Sequence, residues 1–345
     1  MLAKILPIVT IFSVFWTLSA QAVTLTPVSD TLNRPWGLAF LSATEALVTE
    51  KNGALYRVDL NSGRKSQVLG LPDIKVGGQG GLLDVIVEGG FVYMCYVKPA
   101  GRNAQTAIFK AVLEGQSLVD GATIWAANPP VSSGAHFGCR LGMDPDGYLY
   151  ASSGERRSRS LVQDPSNEIG SVIRLNWDGS VPRDNPFYPS ATFSYGHRNP
   201  QGLAIHPETG RVWTHEHGPK GGDEVNVSDP GSNHGWPLVS FGDEYYGADI
   251  GSGAVTMSGV KDPLWHWTPS IAPSGMTFDG PNTLYVGALK FEMLLKLTLD
   301  GERVLAQETV FQGDLGRIRD VERAPDGQLY VIQDSSQARI WRVEP

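Results

Sequence analysis

The chain is 345 residues long and carries a formal charge of −8 with no run of Lys or Arg, which argues against nucleic acid as a partner. Its 40 Gly and 23 Pro are spread evenly, which calls for many tight turns and not for a disordered tail. The length allows a large core without requiring two domains, since all-β folds often run long as one unit.

The first element is not expected to belong to the fold. Lys4 opens a short positive stretch, residues 5–18 are almost unbroken apolar, and Ser19-Ala20-Gln21-Ala22 supplies a small-x-small cleavage pattern. The competing reading, a membrane anchor, needs about 20 apolar residues, and this run has about 14. Cleavage after Ala22 predicts an exported chain, periplasmic or secreted and without stable membrane insertion, whose residues 23–345 form one domain.

From there a three-strand phrase recurs. Its first strand reads at 37–40 (GLAF), 81–87 (GLLDVIV), 140–143 (RLGM), 202–205 (GLAI), 275–278 (GMTF) and 318–322 (IRDVE). A turn and a second strand follow each, at 46–49, 91–97, 148–152, 211–214, 283–286 and 328–332, with Asp-Pro-Asp-Gly and Pro-Asp-Gly turns between them. Third strands read at 54–60, 106–113, 171–177, 224–227, 294–299 and 338–343. The repeat length, about 54 residues, fits a four-stranded blade with loops, so the predicted fold is all-β, a six-bladed β-propeller with antiparallel blades. A sandwich would not repeat one phrase six times. The small residue that opens most phrases suits inner strands crowding toward an axis. Residues 23–28 precede the first phrase and are expected to close the ring on the last blade, which removes an exposed edge. Cys95 and Cys139 read either as two buried thiols or as a bridge; the even count in an exported chain favours a bridge, and the spacing leaves the choice open.

Chemistry is expected on the loops at one end of the axis. Gln79 precedes the second phrase, His136 the third and Arg198-Asn199-Pro200-Gln201 the fourth, while Arg317 and Arg319 flank the start of the sixth. Lys290 and Glu216-His217-Gly218-Pro219 follow second strands and would lie near the same rim. One Arg before a strand is ordinarily a solvated surface residue; a set in phase with a repeat is harder to dismiss. Several cations converging on the axis of an acidic protein suggest a polyanionic ligand, Arg binding carboxylates in bidentate fashion and Lys acting as a point charge. No dinucleotide-binding glycine phrase and no HExxH-type zinc spacing occurs.

The phrases GGQGGLLDV (77–85), HFGCRL (136–141), GHRNPQGLA (196–204), EHGPKGGDEVN (216–226), NHGWP (233–237), GALK (287–290) and RIRDV (317–321) closely resemble, in the same order, the soluble quinoprotein aldose sugar dehydrogenases. The resemblance spans essentially all of residues 23–345 and implies pyrroloquinoline quinone and Ca2+ as cofactors. It further implies that His136 accepts the proton of the sugar's anomeric hydroxyl, with Glu155 supporting it where the glucose dehydrogenases carry Asp. Gln79, Arg198, Asn199, Tyr245, Lys290, Arg317 and Arg319 match quinone-contacting positions, and His217 stands where the glucose-specific branch has Gln. The carbonyls of Gly218 and Pro219 resemble the ligands of the calcium that chelates the quinone, and Glu224 with the His234 carbonyl those of a second calcium. Cys139 stands where Gly is usual, and the loops between phrases read as short, implying an open cleft.

The implied activity is oxidation of aldose sugars at the anomeric carbon to lactones, with electrons leaving to a separate acceptor, since no CxxCH haem motif is present. A metal-dependent lactonase or esterase would need acidic and amide side chains on the axis, where these phrases carry Arg and Lys. A propeller that only binds sugar or protein is the non-enzymatic alternative, and His136, Lys290, Arg317 and Arg319 together count against it.

Overall fold

A computed structural model describes residues 23–344; the predicted leader, residues 1–22, lies outside the described residues. The described chain is 24 strands and one 3-10 turn, Arg159–Leu161. The strands form six four-stranded antiparallel sheets. The innermost strands are Pro35–Ser42, Leu82–Glu88, Gly138–Met143, Pro200–Ile205, Pro273–Phe278 and Ile318–Arg323. Each touches the next in cyclic order, and the sixth touches the first, so the sheets are the blades of a six-bladed propeller. The fourth strand of the last blade is Thr24–Pro27, which pairs antiparallel with Ile340–Glu344 and closes the ring as the sequence predicts.

Burial explains why the first two strands of each phrase were legible and the fourth was not. Second strands such as Thr283–Ala288 (TLYVGA) lie between neighbouring blades and are buried along nearly their whole length, so they read as continuous apolar runs. Third strands vary, from Ser171–Asn176, buried almost throughout, to Ala54–Asp59, buried only at Leu55 and Val58. Most fourth strands face solvent, as Arg303–Gln312, polar and mostly exposed, does; Thr192–Tyr195 is largely buried. An apolar cluster fills each gap between neighbouring blades, for example Leu47, Leu82 and Met94 between the first and second and Leu38, Ile332 and Ile340 between the sixth and first.

Crowding at the axis is real. A Cβ on Gly37 would meet Asp84 Oδ1 of the next blade at 2.8 Å, and one on Gly275 would collide with Asp320. The two aspartates are the anchors of a charged plug. Arg140, 3% exposed, lies within 3.0 Å of Asp84 Oδ1 and 2.8 Å of Asp320 Oδ1, and donates to the carbonyls of Gln201 and Arg319. Asp84 also accepts from the Leu141 N–H and Asp320 from the Leu38 N–H, so one buried network ties five blades together. The two cysteines are bonded: Cys95, on the second strand of blade 2, is joined to Cys139, on the inner strand of blade 3.

One expectation is overturned. The loops are not uniformly short, because residues 229–264 separate the third and fourth strands of blade 4 and carry His234 and Tyr245 to the rim.

Candidate active site

The rim is built by one repeated stitch. The residue entering an inner strand offers its carbonyl to an N–H just past the second strand of the same blade: Arg34 to Lys51, His136 to Arg156, Asn199 to His217, Ala272 to Leu289 and Arg317 to Asp334. Positions in phase with the repeat are thereby brought face to face around the axis. Three of these entering residues, Arg34 (φ 51°), His136 (φ 54°) and Ala272 (φ 52°), are left-handed, a conformation costing a non-glycine residue roughly 1–2 kcal/mol, and it turns them toward the mouth.

An axial cavity of about 340 Å³ opens inside this ring, within the size range of small-molecule sites. Gln79, Asn199, His217, Arg317 and Arg319 line it, together with Arg34, Trp36, Lys51 and Asp334. Four cations thus face one carboxylate. Asp334 accepts from Arg319 at 2.9 Å and Arg317 at 3.1 Å; burial alone would raise its carboxyl, but the two guanidiniums hold it below the usual range. Trp36 forms part of the wall, with the Arg140 guanidinium 4.2 Å from its ring and that of Arg319 5.6 Å away. Arg319 is buried, and its Nε has no partner. A buried unpaired donor beside surplus positive charge suits a ligand bearing several carboxylates.

Next to it lies a cleft of about 520 Å³ lined by Gln79, His136, Glu155, Arg157, Arg159, Arg198 and Tyr245. Gln79 belongs to both spaces, and its Oε1 accepts from the His136 N–H at 2.7 Å. Gln79 is set by a tight turn between Gly77 and Gly80 and by Lys51, whose Nζ donates to the Gly78 carbonyl at 2.9 Å. His136 Nδ1 lies 2.5 Å from Glu155 Oε1. A carboxylate only accepts, so Nδ1 carries the proton and Nε2 keeps its lone pair. Burial lowers the His136 pKa by more than Glu155 raises it, leaving the ring neutral and basic near pH 7. The Glu155 N–H is held by the Arg198 carbonyl at 2.8 Å.

A third space, about 20 Å³, is lined by Arg198, Glu216, His217, Gly218, Glu224 and His234 among others, room for one water or one ion. Burial, with the Glu216 charge next in size, pushes the Glu224 carboxyl up to about 8. One buried and one half-buried carboxyl group, Glu216 and Glu224, beside a single-atom void suit a cation, and Ca2+ takes oxygen ligands of this kind. The Gly218 loop is folded so tightly that a Cβ there would strike the carbonyls of Gly221 and Gly222. Asp223 fastens it, accepting from the Gly218 N–H at 2.9 Å with one oxygen and from Ser270, Ile271 and Ala272 with the other. Among the described residues no group of three or more His, Cys, Asp or Glu side chains forms a metal cluster. The residues expected at calcium contribute mainly carbonyl oxygens.

The structure therefore gathers Gln79, Asn199, His217, Arg317 and Arg319 at the axis, His136, Glu155, Arg198 and Tyr245 at the cleft, and Gly218, Glu224 and His234 at the small void. His217 bridges axis and void; burial lowers its pKa to about 4, so neutral Nε2–H donates to the Pro273 carbonyl at 2.7 Å. Glu216 Oε2 accepts from the N–H groups of Arg198, at 2.5 Å, and Asn199, at 3.2 Å, fixing both. Tyr245 is 71% exposed. Two expected residues stand apart: Pro219 is buried behind Gly218, and Lys290 is exposed, its ammonium 4.9 Å from the Phe291 ring, neither lining a cavity.

Sequence reasoning missed Arg34, Lys51 and Asp334. Arg34 holds in blade 1 the stitch position of His136, Asn199 and Arg317, and Lys51 and Asp334 hold in blades 1 and 6 that of His217, so the repeat itself carried their signal. Trp36 and Arg157 had none.

Comparison with known proteins agrees with this layout. Residues 32–342 match the glucose/sorbosone dehydrogenase family. The aldose sugar dehydrogenase YliI of Escherichia coli is 34% identical over 99% of this chain and 98% of its own length. The apo-form crystal structure of the soluble aldose sugar dehydrogenase from Escherichia coli superposes with a TM-score of 0.89, at 34% identity over 94% of this chain and all of that one. The PQQ-bound aldose sugar dehydrogenase of Streptomyces coelicolor superposes with a TM-score of 0.80, at 29% identity over 93% and 98% of the two chains. With the ring, the His–Glu pair and the cationic axis already in place, these matches settle the membership: the chain belongs to the glucose/sorbosone dehydrogenase family.

Proposed function

We propose that this chain is an exported quinoprotein oxidoreductase that oxidises aldose sugars at the anomeric carbon to lactones and passes the electrons to a separate acceptor. The observation that carries the reading is the shared wall at Gln79: a neutral imidazole with a free Nε2 faces a cleft that opens beside a cavity with surplus positive charge. Pyrroloquinoline quinone, when bound with Ca2+, supplies a polarised carbonyl that accepts the hydride. The protein's own part is positional and acid–base. His136 Nε2 takes the anomeric hydroxyl proton, and Glu155 holds the ring in the required tautomer and stabilises the imidazolium. Arg319, Arg317, Arg34 and Lys51 hold the carboxylates of the quinone, while Asn199 and Gln79 orient it. Lys290, exposed at the rim, reaches a bound group only by swinging inward. The Gly218 and Pro219 carbonyls would hold the calcium nearest the quinone, and Glu224 with the His234 carbonyl a second one that supports the blade.

The test is reconstitution. Purified protein given quinone and Ca2+ together should reduce an artificial dye with aldoses, and chelation should abolish this until both are restored. Full dye-linked activity in a calcium-free preparation would sink the proposal. The exported form should begin at Val23, which N-terminal sequencing of the natural product checks.

A further inference from the structure

Residues Glu155 to Ser158 form a turn closed by the Ser158 N–H on the Glu155 carbonyl at 2.7 Å. Both central residues, Arg156 (φ 53°) and Arg157 (φ 56°), are left-handed, the arrangement of a type I′ turn, in which Asn and Gly normally sit. Two consecutive arginines there are a backbone outlier beside the base's carboxylate, where such outliers serve function. Arg156 accounts for itself: its buried guanidinium bonds the carbonyls of Ala135, Ala104, Val131 and Ser133 and lies 3.7 Å from the Phe137 ring.

Arg157 has no such account. It is exposed, lines the cleft with Gln79, His136 and Tyr245, and makes no side-chain hydrogen bond or ion pair among the described residues. The other charges at this mouth are engaged. Arg159 is forked onto Glu244, with one arm at 3.1 Å; Arg198 donates to the His217 carbonyl at 2.9 Å; Glu155 is held by His136. Arg157 is therefore the exposed guanidinium at this mouth with no partner at all, beside the buried Arg198, which bonds only a carbonyl.

We propose that Arg157 binds an anionic substituent of the sugar, so that this site takes acidic aldoses, carrying a carboxylate or a phosphate ester, in preference to neutral ones. The inference rests on the aldose-oxidising reading above and names its substrate class. A guanidinium recognises either anion through the same two-pronged hydrogen bonding. Its place on the wall that carries Glu155 sets it to grip a substituent away from the anomeric carbon while that carbon faces His136.

The test compares glucose, glucuronate and glucose 6-phosphate on the quinone- and calcium-loaded protein and on Arg157→Gly and Arg157→Glu variants. Glycine suits the left-handed backbone, so the first variant keeps the turn. In the parent, kcat/KM for at least one acidic sugar should exceed that for glucose. In Arg157→Gly it should fall about tenfold or more, a larger loss than with glucose, and in Arg157→Glu it should fall further. The acidic advantage should shrink as salt is raised. Loss only with glucuronate assigns a carboxylate, and loss only with glucose 6-phosphate a phosphate. Equal losses for neutral and acidic sugars, or no acidic advantage in the parent, overturn the proposal. Saturation-transfer NMR of the same three sugars on cofactor-free protein is independent of turnover. If no sugar is oxidised yet the acidic ones bind through Arg157, the oxidation reading fails and the recognition stands; acidic binding unchanged in Arg157→Gly overturns the recognition.

Discussion

The axial cavity and the cleft beside it share Gln79 but are made in different ways. The axial lining comes largely from positions that recur with the blades, held in five of the six by the same carbonyl-to-amide stitch and resting on the Arg140 plug. The cleft adds particular features: Arg156 and Arg157 are left-handed in succession, and Cys139, three residues after the base, is left-handed at φ 81° and bonded to the preceding blade. The difference teaches that the repeat places both the charged seat and the base, whereas the wall beside the base depends on local departures from that repeat. The seat can be lost without touching the base, and the base without touching the seat.

The sharpest break between the two regions is His136→Ala. Turnover with aldoses should fall by about 10²–10⁴ while a quinone titration followed by fluorescence gives an unchanged affinity, because only proton removal is lost. Near-parental turnover would remove His136 from the chemistry. Arg140→Ala attacks the seat from beneath. It leaves two buried carboxylates without their partner, so chemical denaturation should show a loss of about 3–5 kcal/mol, with quinone binding weakened and the cleft groups unchanged in identity. A stable variant with full quinone affinity would mean that the plug and the seat are independent.

Arg319→Ala should act on the seat alone. Losing a charge-assisted donor should weaken quinone binding by about 10- to 100-fold, with kcat recovered at saturating quinone. If kcat stays low there, Arg319 also serves the reaction itself. The smallest effect is expected from Glu155→Gln, read in the pH profile. His136 works as the neutral base, and burial already places its pKa below 6.5, so the acid limb of kcat/KM should lie below pH 6.5. Glu155 opposes that lowering, so replacing its charge should move the limb to still lower pH, with a smaller loss of turnover than His136→Ala. A limb displaced upward would contradict the ion pair.

How much of this was legible follows from the same division. Second strands announced themselves because burial between blades keeps them largely apolar, inner strands because their phrase recurs, and the ring closure by Thr24–Pro27 followed from a lone alternating segment. Fourth strands such as Trp265–Trp267 carried no pattern, because one outer edge strand in water imposes none. Gln79, Asn199, Arg317 and Arg319 could be placed from their phase. Arg140 was read as the start of a strand and not as an axial charge, since nothing local reveals that Asp84 and Asp320, 56 residues before it and 180 after, converge on it. Tyr245 and His234, proposed at a second calcium, came only through the family likeness, riding on a long loop that the spacing of the phrases made look short. Lys290 falls one residue past Leu289, which holds the stitch position in blade 5, and is exposed.

The closing strand has one further consequence. Thr24–Pro27 is among the first described segments to be synthesised, yet its partner, Ile340–Glu344, is the last. The blade they complete carries Arg317 and Arg319, two of the four cations of the axial cavity, and Asp334, the carboxylate they hold. A chain cut short by a few residues at either end therefore exposes a raw sheet edge and loosens the very blade that grips the ligand. Only a finished polypeptide can present the full charge pattern, so the fold inspects its own completeness before it is able to take up anything at its centre.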